Sequence, residues 1–215
     1  PYEFCAMIPM QINNSLNRLQ NIKTIIVGGA PVSKSLIEDL QPLKTKVFAT
    51  YGMTETLSHI AIKPLNGKLK SNFYKVLEGI KISQDERNCL VIKAPNLTDE
   101  TIVTNDLVNL HSKSEFEFIG RYDNMINSGT IKLFPELIEA KLVDKIKERF
   151  FIASKPDSQL GEKVILVIEG KADTTSASTF EELDEFEAPK EVYVVDKFIE
   201  MNQKIQRTKT LELLK

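Results

Sequence analysis

Thr24-Ile25-Ile26-Val27 is a run of four β-branched residues ending on a glycine pair, Gly28-Gly29, and it constrains the fold more than any other stretch. Branching at Cβ favours extended backbone, so such a run closed by glycines reads as a buried strand opening into a loop. Ser33 or Ser35 is placed to cap a following helix whose Leu36, Ile37 and Leu40 share one face. Lys46–Thr50 then reads as a second strand that delivers Tyr51-Gly52 at its carboxyl end. Strand, helix, strand is a βαβ unit, and open α/β sheets bind ligands beyond the carboxyl ends of their strands.

Residues 73 to 119 change character. Val76–Ser83, Cys89–Ala94, Thr101–Val103 and Phe116–Ile119 are short β-rich runs with turn residues between them, which predicts a small, largely antiparallel region. After Asp123 the pattern changes again. Pro135 suits a first helical position, and Ile138, Leu142, Ile146 and Phe150 recur every four residues. Strands over Phe151–Ser154, Lys163–Glu169 and Val192–Asp196 are expected, with helices around Phe180–Phe186 and Thr208–Leu214. The expected fold is α/β plus α+β: the end of a larger domain over 1–122 and a compact α+β domain over 123–215.

With 42% hydrophobic and 27% charged residues, the chain has the balance of a globular protein. A net charge of −2 gives no reason to expect nucleic acid or an anionic membrane as partner. Two cysteines, Cys5 and Cys89, supply neither a disulfide framework nor metal spacing, and His59 and His111 stand too far apart to suggest a metal. The apolar start from Phe4 to Ile12 lacks a basic flank and is broken by Pro9, so it reads as neither secretory leader nor membrane span. The expected compartment is the cytoplasm.

The loops carry a set of residues suited to nucleotide chemistry. Glycines let backbone approach a flat ring or a phosphate closely. Tyr51 offers an aromatic face, Thr54 a hydroxyl for a phosphate oxygen, and Glu55 a carboxylate for Mg²⁺. Asp106, read as lying on a turn, can accept from a pair of ribose hydroxyls, and Arg121 adds a planar donor. Singly, each has a plainer reading: a strand end, a turn former, a solvated charge.

In order along the chain, Gly28-Gly29-Ala30-Pro31, Tyr51-Gly52-Met53-Thr54-Glu55, Thr104-Asn105-Asp106, Gly120-Arg121-Tyr122-Asp123 and Lys204-Ile205-Gln206-Arg207 resemble the motifs of the adenylate-forming superfamily. Its members include acyl-CoA synthetases, adenylation domains and luciferases. Within it, Thr56 and Ser58 after Thr54-Glu55 resemble the habit of the o-succinylbenzoate–CoA ligases. The resemblance implies an enzyme using ATP, Mg²⁺ and coenzyme A to activate a small carboxylic acid. It would place Gly29, Ala30, Pro31 and Tyr51 around adenine, Gly52 and Met53 also at the nucleotide, Thr54 at the α-phosphate and Glu55 at Mg²⁺. Asp106 and Arg121 would hold ribose, Thr56, Ser58 and His59 the acyl group, and Lys204 the reacting carboxylate. Asp123 would be the hinge, and Gly129 and Thr130 would line the coenzyme A tunnel.

Two motifs drift from the family pattern: Thr130 and Ile131 replace smaller or acidic residues, and Gln203 stands where relatives have glycine. The family's Ser/Thr/Gly-rich phosphate loop has no counterpart before Gly28, so the likeness covers the C-terminal portion of a family member. A ligase for another aryl or fatty acid, or a non-catalytic adenylate-binding remnant, remains an alternative.

Overall fold

The computed structural model describes residues 1–170, 177–201 and 204–214, and the chain divides into two compact units, Pro1–Tyr122 and Asp123–Lys215. In the first unit β1 (Tyr2–Met7) leads through α1 (Pro9–Asn13) to β2 (Ile22–Val27), and α2 (Lys34–Leu40) carries the chain to β3 (Lys46–Gly52). These three strands are parallel, with β2 between β1 and β3. Ile25 and Val27 alternate onto one face of β2, where Ile12, Leu19, Leu36 and Leu40 bury against them. Ser33 is the cap of α2: its hydroxyl accepts from the Leu36 amide at 3.1 Å. Asn66, 8% exposed, ties the end of this crossover to β3 by accepting from Val47 N and donating to the Leu40 and Thr45 carbonyls.

The antiparallel strands do not form a separate layer. They are β4 (His59–Pro64), β5 (Tyr74–Val76), β6 (Lys81–Gln84), β7 (Cys89–Lys93), β8 (Thr101–Leu110) and β9 (Glu115–Arg121). Pairing of β4 with β3 and of β5 with both β4 and β9 joins all nine strands in the order β1-β2-β3-β4-β5-β9-β8-β7-β6. Asp106 does not sit on a turn. It lies inside β8, because the β-branched run Thr101–Val103 continues through Leu107 and Val108 into the same buried strand.

In the second unit β10 (Ile126–Ser128) and β11 (Ile131–Leu133) form a hairpin, followed by α3 (Pro135–Leu142). The four-residue apolar repeat outlasts this helix: Ile146 is buried from the turn beyond it, and Phe150 begins β12 (Phe150–Asp157). β12 pairs along its length with β13 (Gly161–Glu169), and β14 (Glu191–Val195) runs parallel to β13. Residues 152, 164, 166 and 168 face Ile138 and Leu142 of α3, whereas 151, 153, 165 and 167 face Val195 and Phe198. Both faces are covered, which explains the unbroken apolar run in β13.

The helix expected around Phe180–Phe186 is absent. A 3-10 turn covers Ala177–Phe180 and turns follow. Five acids between 181 and 187 repel one another at helical spacing. Glu187 instead accepts from the Asp184 amide and pairs with Lys141 at 2.6 Å, which favours a turn. The chain ends with β15 (Glu200–Met201), β16 (Lys204–Ile205) and α4 (Arg207–Leu211).

Candidate active site

The carboxyl end of β3 and the middle of β8 meet at one buried carboxylate. The Tyr51 hydroxyl donates to Asp106 Oδ2 at 2.5 Å, and Arg121 Nη1 donates to Oδ1 at 3.1 Å. Asp106 and Arg121 are cross-strand partners on β8 and β9. The Tyr51 ring leans edge-on against Phe116 at a centroid distance of 5.1 Å and lies 5.9 Å from Tyr74. Burial, reinforced by the Asp106 charge, pushes the Tyr51 phenol well above the ordinary tyrosine range, so at neutral pH it is a hydrogen-bond donor.

Asp106 is 7% exposed, whereas the Arg121 side chain is 47% exposed. A carboxylate offers about four lone-pair sites. Tyr51 and Arg121 each use one here, which leaves both oxygens able to accept again. The arrangement suits a ligand with two adjacent hydroxyls.

The glycines divide between roles. A Cβ on Gly28 would lie 2.7 Å from Thr50 Oγ1, so packing within the sheet already accounts for it. Gly29 has φ +84°, and it stands exposed with Ala30 and Pro31 at the end of β2. A Cβ on Gly52 would lie 2.4 Å from the Ser58 carbonyl oxygen, at the bulge between β3 and β4.

Thr54 and Glu55 stand exposed in the 3-10 turn Thr54–Thr56. Thr56 is fully buried: its hydroxyl accepts from Met53 N and lies 2.8 Å from the Ser58 carbonyl, so it shapes the loop from within. Leu57 follows, 78% exposed with φ +60°. Ser58 is exposed, with Oγ 3.2 Å from Nδ1 of the half-buried His59. Among the described residues no three His, Cys, Asp or Glu side chains cluster as metal ligands. A single exposed carboxylate such as Glu55 fits Mg²⁺ brought in on phosphates, since that ion keeps several waters and few protein ligands.

The remaining expected residues belong to the second unit. Asp123 is its first residue and lies in the 3-10 turn Tyr122–Asn124. Gly129 (φ +63°) and Thr130 form the exposed turn between β10 and β11. Lys204 is exposed on β16 opposite Met201, while neighbouring Ile205 packs into the core. Gln203 lies outside the described residues.

Three residues below Lys204, Arg207 donates to Glu139 Oε2 at 2.9 Å and to the Ile152 carbonyl at 3.1 Å. Glu139 also accepts from Ile152 N at 2.8 Å. Burial raises the Glu139 carboxyl above its ordinary range, against the pull of Arg207. Sequence reasoning missed Glu139, because nothing distinguishes it from the other acids of α3.

No protein-family model matches the chain. It is 25% identical over 223 residues to the 2-succinylbenzoate–CoA ligase of Listeria monocytogenes, covering 89% of this chain and 46% of that protein. The Lactococcus lactis enzyme of the same name is 24% identical, with 89% of this chain and 47% of that protein covered. The chain thus spans about half the length of the curated relatives it matches. Among solved structures, an acyl-CoA synthetase (AMP-forming)/AMP-acid ligase II-like protein from Dyadobacter fermentans is 35% identical with a TM-score of 0.55, covering 99% of this chain and 65% of that one. The o-succinylbenzoate coenzyme A synthetase of Bacillus subtilis, solved with ATP and magnesium ion, has a TM-score of 0.79 at 18% identity and shares the fold over 97% of this chain and 51% of its own. Along nearly its whole length, the chain therefore resembles the C-terminal part of the adenylate-forming, AMP-forming acyl-CoA synthetases.

Proposed function

We propose that this chain is the C-terminal portion of an ATP-dependent acid–CoA ligase acting on o-succinylbenzoate, which joins carboxylate to AMP and then passes the acyl group to coenzyme A. The observation that carries the reading is Asp106, a nearly buried carboxylate with both oxygens still able to accept, bracketed by Tyr51 and Arg121. In this reading Asp106 accepts from the two ribose hydroxyls and Arg121 supplies a fixed cation beside them. Gly29, Ala30, Pro31 and Tyr51 border adenine, Gly52 and Met53 also line the nucleotide, Thr54 donates to the α-phosphate, and Glu55 holds Mg²⁺ that arrives with ATP. Ser58 and His59 face the acyl group on a loop held from inside by Thr56.

Lys204, solvent-exposed on a short hairpin, stabilises the charge that grows as carboxylate attacks phosphorus. Asp123, where the two compact units divide, is the hinge, and the Gly129-Thr130 turn serves the coenzyme A step. Names of the relatives support o-succinylbenzoate as the acid, and use of ATP and coenzyme A supports the cytoplasm. The test is pyrophosphate release and thioester formation by a ligase carrying this chain, assayed with o-succinylbenzoate beside aryl and fatty acids. Preference for o-succinylbenzoate is expected; turnover of another acid in its place, or of none, overturns the reading.

A further inference from the structure

Arg87 lies in the β6–β7 loop, outside the expected motifs, yet its guanidinium reaches residues of two of them, Thr104-Asn105-Asp106 and Gly120-Arg121-Tyr122-Asp123. Nε donates to Asp85 Oδ2 at 2.8 Å and Nη2 pairs with the same oxygen at 2.8 Å, while Nη1 donates to Asn105 Oδ1 at 2.8 Å and Nη2 to the Thr104 carbonyl at 3.1 Å. The face of the guanidinium lies 5.2 Å from the centre of the Tyr122 ring. Asp85 fixes the loop itself, since its Oδ1 accepts from the Arg87 and Cys89 amides.

These contacts fall where the sheet is irregular. Cys89 pairs with Leu107 and Val91 with Val103, so Thr104, Asn105 and Asp106 stand opposite Leu90 alone. A bulge of this kind re-aims a side chain and removes ladder partners. Arg87 takes the Thr104 carbonyl, and the Thr104 hydroxyl accepts from the Asp106 amide at 3.0 Å while donating to Leu90 O. One hydrogen bond therefore separates what Arg87 grips from the backbone of Asp106. On the other side, Tyr122 directly follows Arg121, the residue paired with Asp106.

We infer that Arg87 is a positioning residue for the nucleoside grip, holding the bulged middle of β8 and the end of β9 so that Asp106 and Arg121 present one carboxylate to a vicinal diol. The inference rests on the ribose reading of Asp106. A planar fork with a stacking face can serve all four partners at once; an ammonium cannot.

The test is titration of the chain with AMP and with 2′,3′-dideoxy-AMP, which lacks the diol. Wild type is expected to prefer AMP by roughly tenfold or more, the usual scale for hydrogen bonds to a charged group. Arg87→Ala should lose most of that preference, and Arg87→Lys should not restore it. Tyr122→Leu, which removes only the half-exposed stacking ring, should lose part of it and decides the matter if the arginine variants do not fold. A wild-type ratio in the folded Arg87 variants, or in Tyr122→Leu where those fail, overturns the inference and leaves the ribose reading standing. No preference for AMP in wild type removes the ribose reading, and the inference with it.

Discussion

The Tyr51 hydroxyl meets Asp106 at 2.5 Å although β3 and β8 are separated in the sheet by β4, β5 and β9. Four strand spacings in a flat sheet amount to ~19 Å, far beyond the length of a tyrosine. The contact therefore requires the sheet to curl, and β5, only three residues long, is where the β3–β4 pair passes to the β8–β9 pair. Phe116 and Tyr74 fill the concave side, stacked 5.5 Å apart beneath the Tyr51 ring.

Tyr51→Phe tests that bond alone, because the ring keeps its packing while a nearly buried carboxylate loses a donor. A stability loss of about 1–3 kcal/mol is expected. Urea unfolding checks it: the midpoint should fall with the slope unchanged, and an unchanged midpoint would mean that Asp106 finds its partners elsewhere.

Alkaline pH should act on the same group. Tyr51 is raised chiefly by burial and then by Asp106, and Tyr74 by burial. Their folded pKa values lie above the unfolded value near 10, so the folded state holds protons that the unfolded state releases. Stability is fully present below about pH 10 and falls as pH rises beyond it, by up to ~1.4 kcal/mol per unit for each group. Thermal melts between pH 8 and 11 should show this decline, and Tyr51→Phe should flatten it. A flat wild-type profile would count against the buried phenols.

Gly52→Ala should be costly despite the small change. The added Cβ would lie 2.4 Å from Ser58 O and 2.5 Å from His59 Cα, both backbone atoms that cannot turn aside. Displacing this bulge should cost about 1–3 kcal/mol and move the loop that carries Thr54 and Glu55. Circular-dichroism melting together with AMP titration would show both effects; a variant with wild-type melting would contradict the close approach.

The βαβ unit was legible because its signals are local: a β-branched run, a serine cap and an apolar face three and four residues apart. Asp106 was legible as a candidate but not as a strand residue, since Thr104-Asn105-Asp106 has turn composition and only pairing with β7 and β9 reveals the bulge. Arg87, Asn66 and Glu139 were not legible at all. Each acts through partners at least 13 residues away: Thr104, Leu40 and Ile152. The helix expected around Phe180–Phe186 does not form, because the acids of that segment repel one another at helical spacing.

Glu139 anchors the start of α4 through Arg207, so Glu139→Ala should leave a part-buried guanidinium with the Ile152 carbonyl but no carboxylate, and the Ile152 amide without its acceptor. A loss of roughly 2–4 kcal/mol is expected, towards the lower end of buried-pair values because the Arg207 side chain is 25% exposed. Glu139→Gln, which keeps an acceptor oxygen, should lose less. Equal losses would mean that shape rather than charge holds the helix.

Lys204→Ala separates chemistry from folding. The side chain is exposed, so stability should stay within about 0.5 kcal/mol of wild type. In a ligase carrying this chain, acyl-adenylate formation should fall by roughly 10²–10³, the scale seen when a group that stabilises developing charge is removed. Thioester formation from supplied acyl-adenylate should be spared, because no new charge then grows at the α-phosphate from an attacking carboxylate. Equal loss in both half-reactions would assign Lys204 to binding the adenylate itself, and no loss in either would leave the hairpin without a part in the first step.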